Sequence, residues 1–223
     1  MYRHRNHLTT SNTEEEFAIL RDFGDMLEAG GTELTIVPEI QRHKFAKTFW
    51  NIVFSSFSTL TNSPLTAMFR SPPPPPDSTS EGQVHSYTPY VAPVTERFVR
   101  EETLPVLQSI LEEMIALGQF MGDHIRVCLH FHFDMLRQGR AMGWPDEEGG
   151  LPSSLASGTI SRTAALHSGP EANQVPSMLL DYRNASPIEV EVIFGEVVRM
   201  ARERNVPVPV SFQAYYVLEF QMD

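Results

Sequence analysis

His43-Lys44-Phe45-Ala46-Lys47-Thr48-Phe49-Trp50-Asn51, followed four residues later by Ser55, is the stretch on which the fold reading turns. It lies inside an apolar run, 40–60, that predicts one long helix. Lys47, Asn51 and Ser55 stand four apart, which in an α-helix puts all three on one face. A lysine inside an apolar helix face is costly unless it is paired or reaches water. Paired with a carboxylate in a pocket, it is a candidate acid–base group, with the asparagine as an orienting hydrogen-bond partner. The other reading of the same residues is a lysine that snorkels to solvent beside an asparagine making a helix contact.

Upstream, Thr10-Ser11-Asn12-Thr13 offers helix caps ahead of Glu14-Glu15-Glu16, whose charge complements a helix N-terminus. Phe17, Leu20, Phe23, Met26 and Leu27 repeat at helical spacing, and Gly30-Gly31 stops the helix. A strand-like stretch at His7-Leu8-Thr9 precedes this helix, and Glu33-Leu34-Thr35-Ile36-Val37 alternates like a strand after it. Residues 1–38 therefore read as a small β-α-β appendage, and 39–223 as a mainly α domain.

Downstream, 70–94 contains Pro72-Pro73-Pro74-Pro75-Pro76 and reads as an extended surface insertion. Two helices follow, 95–121 and 123–142, split at Gly122 and closed by Gly143-Trp144-Pro145. The stretch near 145–174 is rich in Ser, Gly and Pro and reads as a second irregular loop. Helices are predicted over 176–183 and 187–205, the latter with Pro187 in its first turn. Val206-Pro207-Val208-Pro209-Val210 is a rigid turn before a final short helix at 212–220.

The 223 residues carry a formal net charge of -11, which argues against nucleic acid or an anionic membrane as partner. No apolar run is long enough to span a bilayer, and Met1-Tyr2-Arg3-His4-Arg5 opens no secretory signal. Cys128 is the lone cysteine, so no internal disulfide forms, and a reducing, cytoplasmic setting is expected. His124, His130, His132 and Asp134 do not make a convincing metal set. His130 and Asp134 share a helical face, but His130 and His132 do not. No metal is expected, and Cys128 reads as a small buried hydrophobe.

Three stretches together resemble the ketopantoate reductase family. The first is the opening one, with its lysine and its asparagine four residues on; the family has a second asparagine where this chain has Ser55. The second is Pro176-Ser177-Met178-Leu179-Leu180-Asp181. The third is Pro187-Ile188-Glu189-Val190-Glu191, with Gly195-Glu196-Val197-Val198 and Asn205-Val206-Pro207-Val208-Pro209 after it. The resemblance covers about 6–220 and implies the family's helical C-terminal domain, preceded by the tail of its nucleotide domain. It implies that Lys47 is the general acid, that Asn51, Ser177 and, in altered form, Ser55 contact substrate, and that Glu189 pairs with the lysine.

No Gly-x-Gly-x-x-Gly follows a strand in this chain. No cofactor is therefore expected. The expected function is a cofactor-independent biosynthetic enzyme acting on a carbonyl-containing small molecule, by an intramolecular cyclisation such as a Diels–Alder closure, an isomerisation or a dehydration, in specialised metabolism. The alternatives are an NADPH-dependent reductase half that needs a separate nucleotide domain, and a non-catalytic binding protein. A helical domain built to pack against another would expose apolar surface, so a homodimer is also expected.

Overall fold

The computed structural model describes residues 13–37, 40–73, 89–120 and 143–220. Helix α1 (Glu14–Ala29) begins with a capping box: Thr13 accepts from the Glu16 amide, and the Glu16 carboxylate accepts from the Thr13 amide at 2.9 Å. Gly30 caps its end and Gly31 turns the chain at φ 83°, a conformation glycine adopts freely. Residues 32–37 then run back beside α1, with Leu34 and Ile36 against Gly24. Among the described residues they join no strand ladder, so the β half of the expected appendage is not formed there; the other expected strand, at residues 7–9, lies outside the described residues.

The long apolar helix is present, but it is not a plain α-helix. Helix α2 (Ile40–Trp50) passes through a π-helical turn, Asn51–Ser55, into α3 (Ser56–Thr61). Four consecutive residues, Ile52, Val53, Phe54 and Ser55, are buried in that turn. Asn62, in the left-handed region at φ 47°, closes α3, and its Oδ1 and carbonyl oxygen accept from Arg183 at 2.8 and 2.9 Å. A short α4 (Thr66–Phe69) follows. The buried Arg70 then donates to the carbonyls of Gly169 and Ala172, and its own carbonyl accepts from the Val91 amide. That last bond brings together the two described ends of the proline-rich insertion.

Helix α5 (Pro93–Phe98) runs through a second π turn, Val99–Thr103, into α6 (Leu104–Gln119), the central helix. Leu107, Leu111, Met114 and Leu117 repeat at helical spacing and are all but fully buried. Against them lie Phe45, Phe49 and Phe54 from the α2 stretch, and Phe194 and Leu218 from the C-terminal part. The expected helix at 123–142, with Cys128 and its three histidines, lies outside the described residues.

The stretch near 145–174 departs from expectation: it contains α7 (Leu155–Ser168). Serine and glycine made it look irregular, yet Ala156, Thr163 and His167 recur on one face and are buried. Packing on α6 and α4 stabilises this helix where intrinsic propensity does not. Thr159 and Thr163 each turn the hydroxyl back to the carbonyl four residues earlier, so neither is left unpaired.

Helix α8 (Ser177–Arg183) lies against α3. The next helix starts later than expected. Pro187 and Glu189 are exposed outside it, and the helical path begins at Val190 with a third π turn, Glu191–Gly195, leading to α9 (Glu196–Glu203). Helix α10 (Pro209–Phe220) packs on α6 and on that π turn. The Glu113 carboxylate of α6 accepts from the Val210 and Ser211 amides, each at 2.8 Å, and from the Ser211 hydroxyl at 2.6 Å. It serves as the anionic cap of α10.

Candidate functional site

Of the residues singled out by sequence, Asn51 and Ser55 lie in the first π turn, Lys47 one turn before it on α2, Ser177 on α8 and Glu189 just ahead of the third π turn. The Asn51–Ser55 turn lies against α8 and against the Glu191–Gly195 turn. Ser56 donates to the Met178 sulfur at 4.0 Å, and the buried Met178 and Leu179 anchor the first turn of α8. Ser177 stands exposed at the start of that helix. Glu189 is exposed just ahead of Val190, which is 2% exposed and fixes that end of the next helix in the core.

On α2 the side chains separate by depth. Lys47 is exposed, Asn51 is half-buried and Ser55 is only 2% exposed. An α-helix turns about 100° per residue, and a π turn takes in one residue more, so the i, i+4 row is broken at Asn51. The structure thus keeps Lys47 and Asn51 at the surface and turns Ser55 into the core. Among the described residues, neither Lys47 nor Glu189 makes a side-chain hydrogen bond or ion pair, so the pair that the resemblance implies is not formed.

The surroundings of Lys47 are basic. Arg42 donates to the Gly150 carbonyl at 2.7 Å and lies 2.9 Å from His43 Nε2; an arginine only donates, so the imidazole nitrogen accepts. His43 and Lys44 are exposed alongside. Four cationic or imidazole side chains thus occupy α2, in a chain whose net charge is -11. The opposite side of α2 is apolar: Phe45 packs edge-on to Phe49 with ring centroids 5.1 Å apart, and tilted to Trp144 at 5.4 Å.

A polar cluster that the sequence reading did not single out lies beside the site. Tyr215 on α10 donates to Glu191 Oε1, whose other oxygen accepts from Arg199 at 2.9 Å, and Arg199 also reaches Glu196 at 2.7 Å. The spacing Glu191-x-x-x-Gly195-x-x-x-Arg199 was a readable signal. A glycine between an acid and a base on one helix row leaves room for the carboxylate, and a Cβ on Gly195 would collide with Glu191 Oε2. An open cleft lined by Glu28 and residues 31–35 lies at the end of α1, and none of the site residues lines it. Among the described residues, no three His, Cys, Asp or Glu side chains are grouped to hold a metal ion, and no helix is long and apolar enough to cross a membrane.

Residues 90–221 match the family described as ketopantoate reductase PanE/ApbA C terminal, more than half of the chain. No curated protein matches by sequence. Among solved structures, the chain is similar to 2-dehydropantoate 2-reductase from Methylococcus capsulatus, with a TM-score of 0.57 and 16% identity over 95% of this chain and 47% of that one. It is similar also to 2-dehydropantoate 2-reductase from Geobacter metallireducens GS-15, with a TM-score of 0.54 and 15% identity over 92% of this chain and 48% of that one. The chain spans about half the length of those enzymes, and at such identity the likeness is one of fold. The α2 stretch with Lys47 lies before the matched span. On that span, and on the helical architecture around it, the chain belongs to the ketopantoate reductase C-terminal family.

Proposed function

We propose that this chain is the substrate-holding helical half of an enzyme acting on a small, negatively charged carbonyl compound of the 2-keto acid type, with Lys47 as proton donor to the carbonyl oxygen. The reading is supported by the exposure of Lys47, Ser177 and Glu189, and by the packing of the Asn51–Ser55 turn, which follows the helix bearing Lys47, on α8 and on the Glu191–Gly195 turn. Electrostatic help to a carbonyl is strongest in a water-excluded site. A donor that faces solvent therefore calls for a second body to close over it. The basic run of α2 suits an anionic substrate in an otherwise acidic chain.

On a reductase reading, the second body would hold the nicotinamide, which would supply the hydride when bound. The described residues of this chain do not fit that cofactor: Gly30-Gly31 closes a helix instead of opening one, so it makes no phosphate cradle. The part played by this chain is confined to its own groups. Asn51 and Ser177 hold substrate oxygens. Lys47 donates to the carbonyl oxygen and passes it a proton as that oxygen gains charge, and Glu189 comes within reach of the lysine on closure.

One observation favours a second reading, a cofactor-independent cyclisation, isomerisation or dehydration of a carbonyl intermediate in specialised biosynthesis. Ser55 stands where the family pattern has an asparagine and is turned into the core, so the exposed face presents one amide and is built for a different substrate. Calorimetric titration with 2-dehydropantoate and related keto acids, paired with an NADPH oxidation assay with and without a dinucleotide-binding domain in cis or in trans, separates the two. The first reading expects keto acid binding that Lys47→Ala weakens, and oxidation only when the domain is present. Turnover of a carbonyl compound by this chain with no nicotinamide present overturns it in favour of the second. Failure to bind any carbonyl compound overturns both.

A further inference from the structure

We propose that α2 carries a carboxylate subsite one turn ahead of Lys47, formed by Lys44 and His43, and that the substrate is a 2-oxo diacid whose far carboxylate sits there while its carbonyl oxygen meets Lys47. The inference rests on the reading of Lys47 as proton donor and names the substrate class of that same site. It starts from helical phase. At about 100° per residue, His43 lies about 40° to one side of Lys47 and Lys44 about 60° to the other. Exposure agrees with that phase. All three side chains are at the surface, while Phe45 and Phe49, on the far side of the helix, are 5% and 1% exposed. Arg42 turns off this face to the Gly150 carbonyl.

Arg42 also decides what His43 can offer. Its guanidinium donates to His43 Nε2 at 2.9 Å, so the ring hydrogen sits on Nδ1, and the imidazole is a donor there. Lys44 supplies a charge that no ion pair among the described residues takes up. Its own stretch of chain does not balance it either. From Ile40 to Pro76 there is no Asp or Glu, in a chain that has 28 of them. One ammonium and one N–H match the two oxygens and the single charge of a carboxylate. A phosphate brings a second charge that this pair does not meet. Helical rise then sets the length of the ligand. Lys44 and His43 stand about 4.5 and 6 Å along the axis from Lys47. The carboxylate next to the reacting carbonyl is too close to that carbonyl to span this distance. One separated from it by two methylene carbons does reach.

Calorimetric titration at low ionic strength with 2-oxobutanoate, a monoacid, and 2-oxoglutarate, a diacid, tests the subsite. The diacid is expected to bind roughly fivefold tighter, the upper scale for one solvent-facing ion pair. Lys44→Gln is expected to bring that ratio close to one, His43→Phe to lower it part of the way, and added salt to shrink it. Both side chains are exposed, so helical circular dichroism is expected to stay unchanged. Lys47→Ala, by contrast, is expected to weaken both acids and leave the ratio in place. A ratio of one or less in the parent chain, or a ratio that survives Lys44→Gln, overturns the subsite while the reading of Lys47 stands. Binding of neither acid overturns both.

Discussion

The Tyr215 hydroxyl donates a 2.5 Å hydrogen bond to Glu191 Oε1 and so ties α10 to the π turn that follows Glu189. The contact shapes both groups. The Tyr215 hydroxyl is pushed up to about 12, chiefly because its neutral form holds this bond and losing the proton would set a phenolate against the carboxylate. The Glu191 carboxyl is held below its ordinary 4.5, by the Tyr215 hydroxyl first and the Arg199 guanidinium second.

Tyr215→Phe is therefore expected to lower stability by about 1 kcal/mol at neutral pH, the usual scale for a hydrogen bond to a part-exposed charged group. The pH dependence follows from the two directions. Glu191 is depressed, so its contribution is present above 4.5 and is lost as pH falls through its lower folded value. Tyr215 is raised, so its contribution is present below 10 and is lost as pH rises through about 12. Urea melts of the two proteins across pH are expected to show a gap that is widest between these limits and narrows on both sides. A gap constant with pH would assign the effect to packing of the ring.

Glu113→Ala is expected to cost about 1–3 kcal/mol, because it strips the acceptor from two amides and a hydroxyl at the start of α10. Glu113→Gln keeps one acceptor oxygen and is expected to lose roughly half as much. Amide hydrogen exchange is the direct readout: Val210 and Ser211 should lose protection in Glu113→Ala before the core of α6 does.

Lys47→Ala is expected to leave stability within about 0.5 kcal/mol, since the side chain is exposed and makes no bond among the described residues. If the proposed role holds, the same change lowers turnover in the completed enzyme by roughly a hundredfold or more. Lys47→Arg keeps the charge but alters donor geometry, so it is expected to preserve binding of an anionic substrate better than turnover. Comparing KM with kcat for the two variants separates charge recognition from proton donation.

What the sequence made legible was whatever depends on neighbours along the chain. The α1 capping box, the glycine stop and the apolar periods of α2 and α6 were all readable, and so were the stretches that carry the family resemblance. What stayed hidden depends on packing. The π turn at Asn51–Ser55 inserts a residue into the helical row, so a stripe of Lys47, Asn51 and Ser55 that is straight on paper ends with Ser55 in the core. Helix α7 has weak propensity and exists because Ala156, Thr163 and His167 find a surface on α6 and α4. Glu113 caps a helix almost a hundred residues away, and no local pattern announces that.

Two glycines in unlike surroundings give the last prediction. Gly118 sits in α6 under the core aromatics, and a Cβ there would overlap Leu151 and come within 2.9 Å of the Phe45 ring and 3.3 Å of the Trp144 ring. Those groups are packed on one another and on α6, so they cannot step aside singly. Gly118→Ala is expected to destabilise by about 1–3 kcal/mol, the usual range for an overpacked core, despite the better helix propensity of alanine. Gly195 is crowded in a different way, since the atom in the way is the tip of the Glu191 side chain. That carboxylate can swing out to water, and the cost is the bonds it leaves behind at Tyr215 and Arg199. Alanine recovers roughly 0.5–1 kcal/mol in a helix interior, which offsets much of that loss. Gly195→Ala is thus expected to melt close to the parent, while the Tyr215 hydroxyl, freed of its acceptor, titrates nearer 10 than 12. Ultraviolet titration of the tyrosines reads this directly. A Tyr215 that still titrates near 12 in Gly195→Ala would mean that the Tyr215–Glu191 bond does not need the space that glycine leaves.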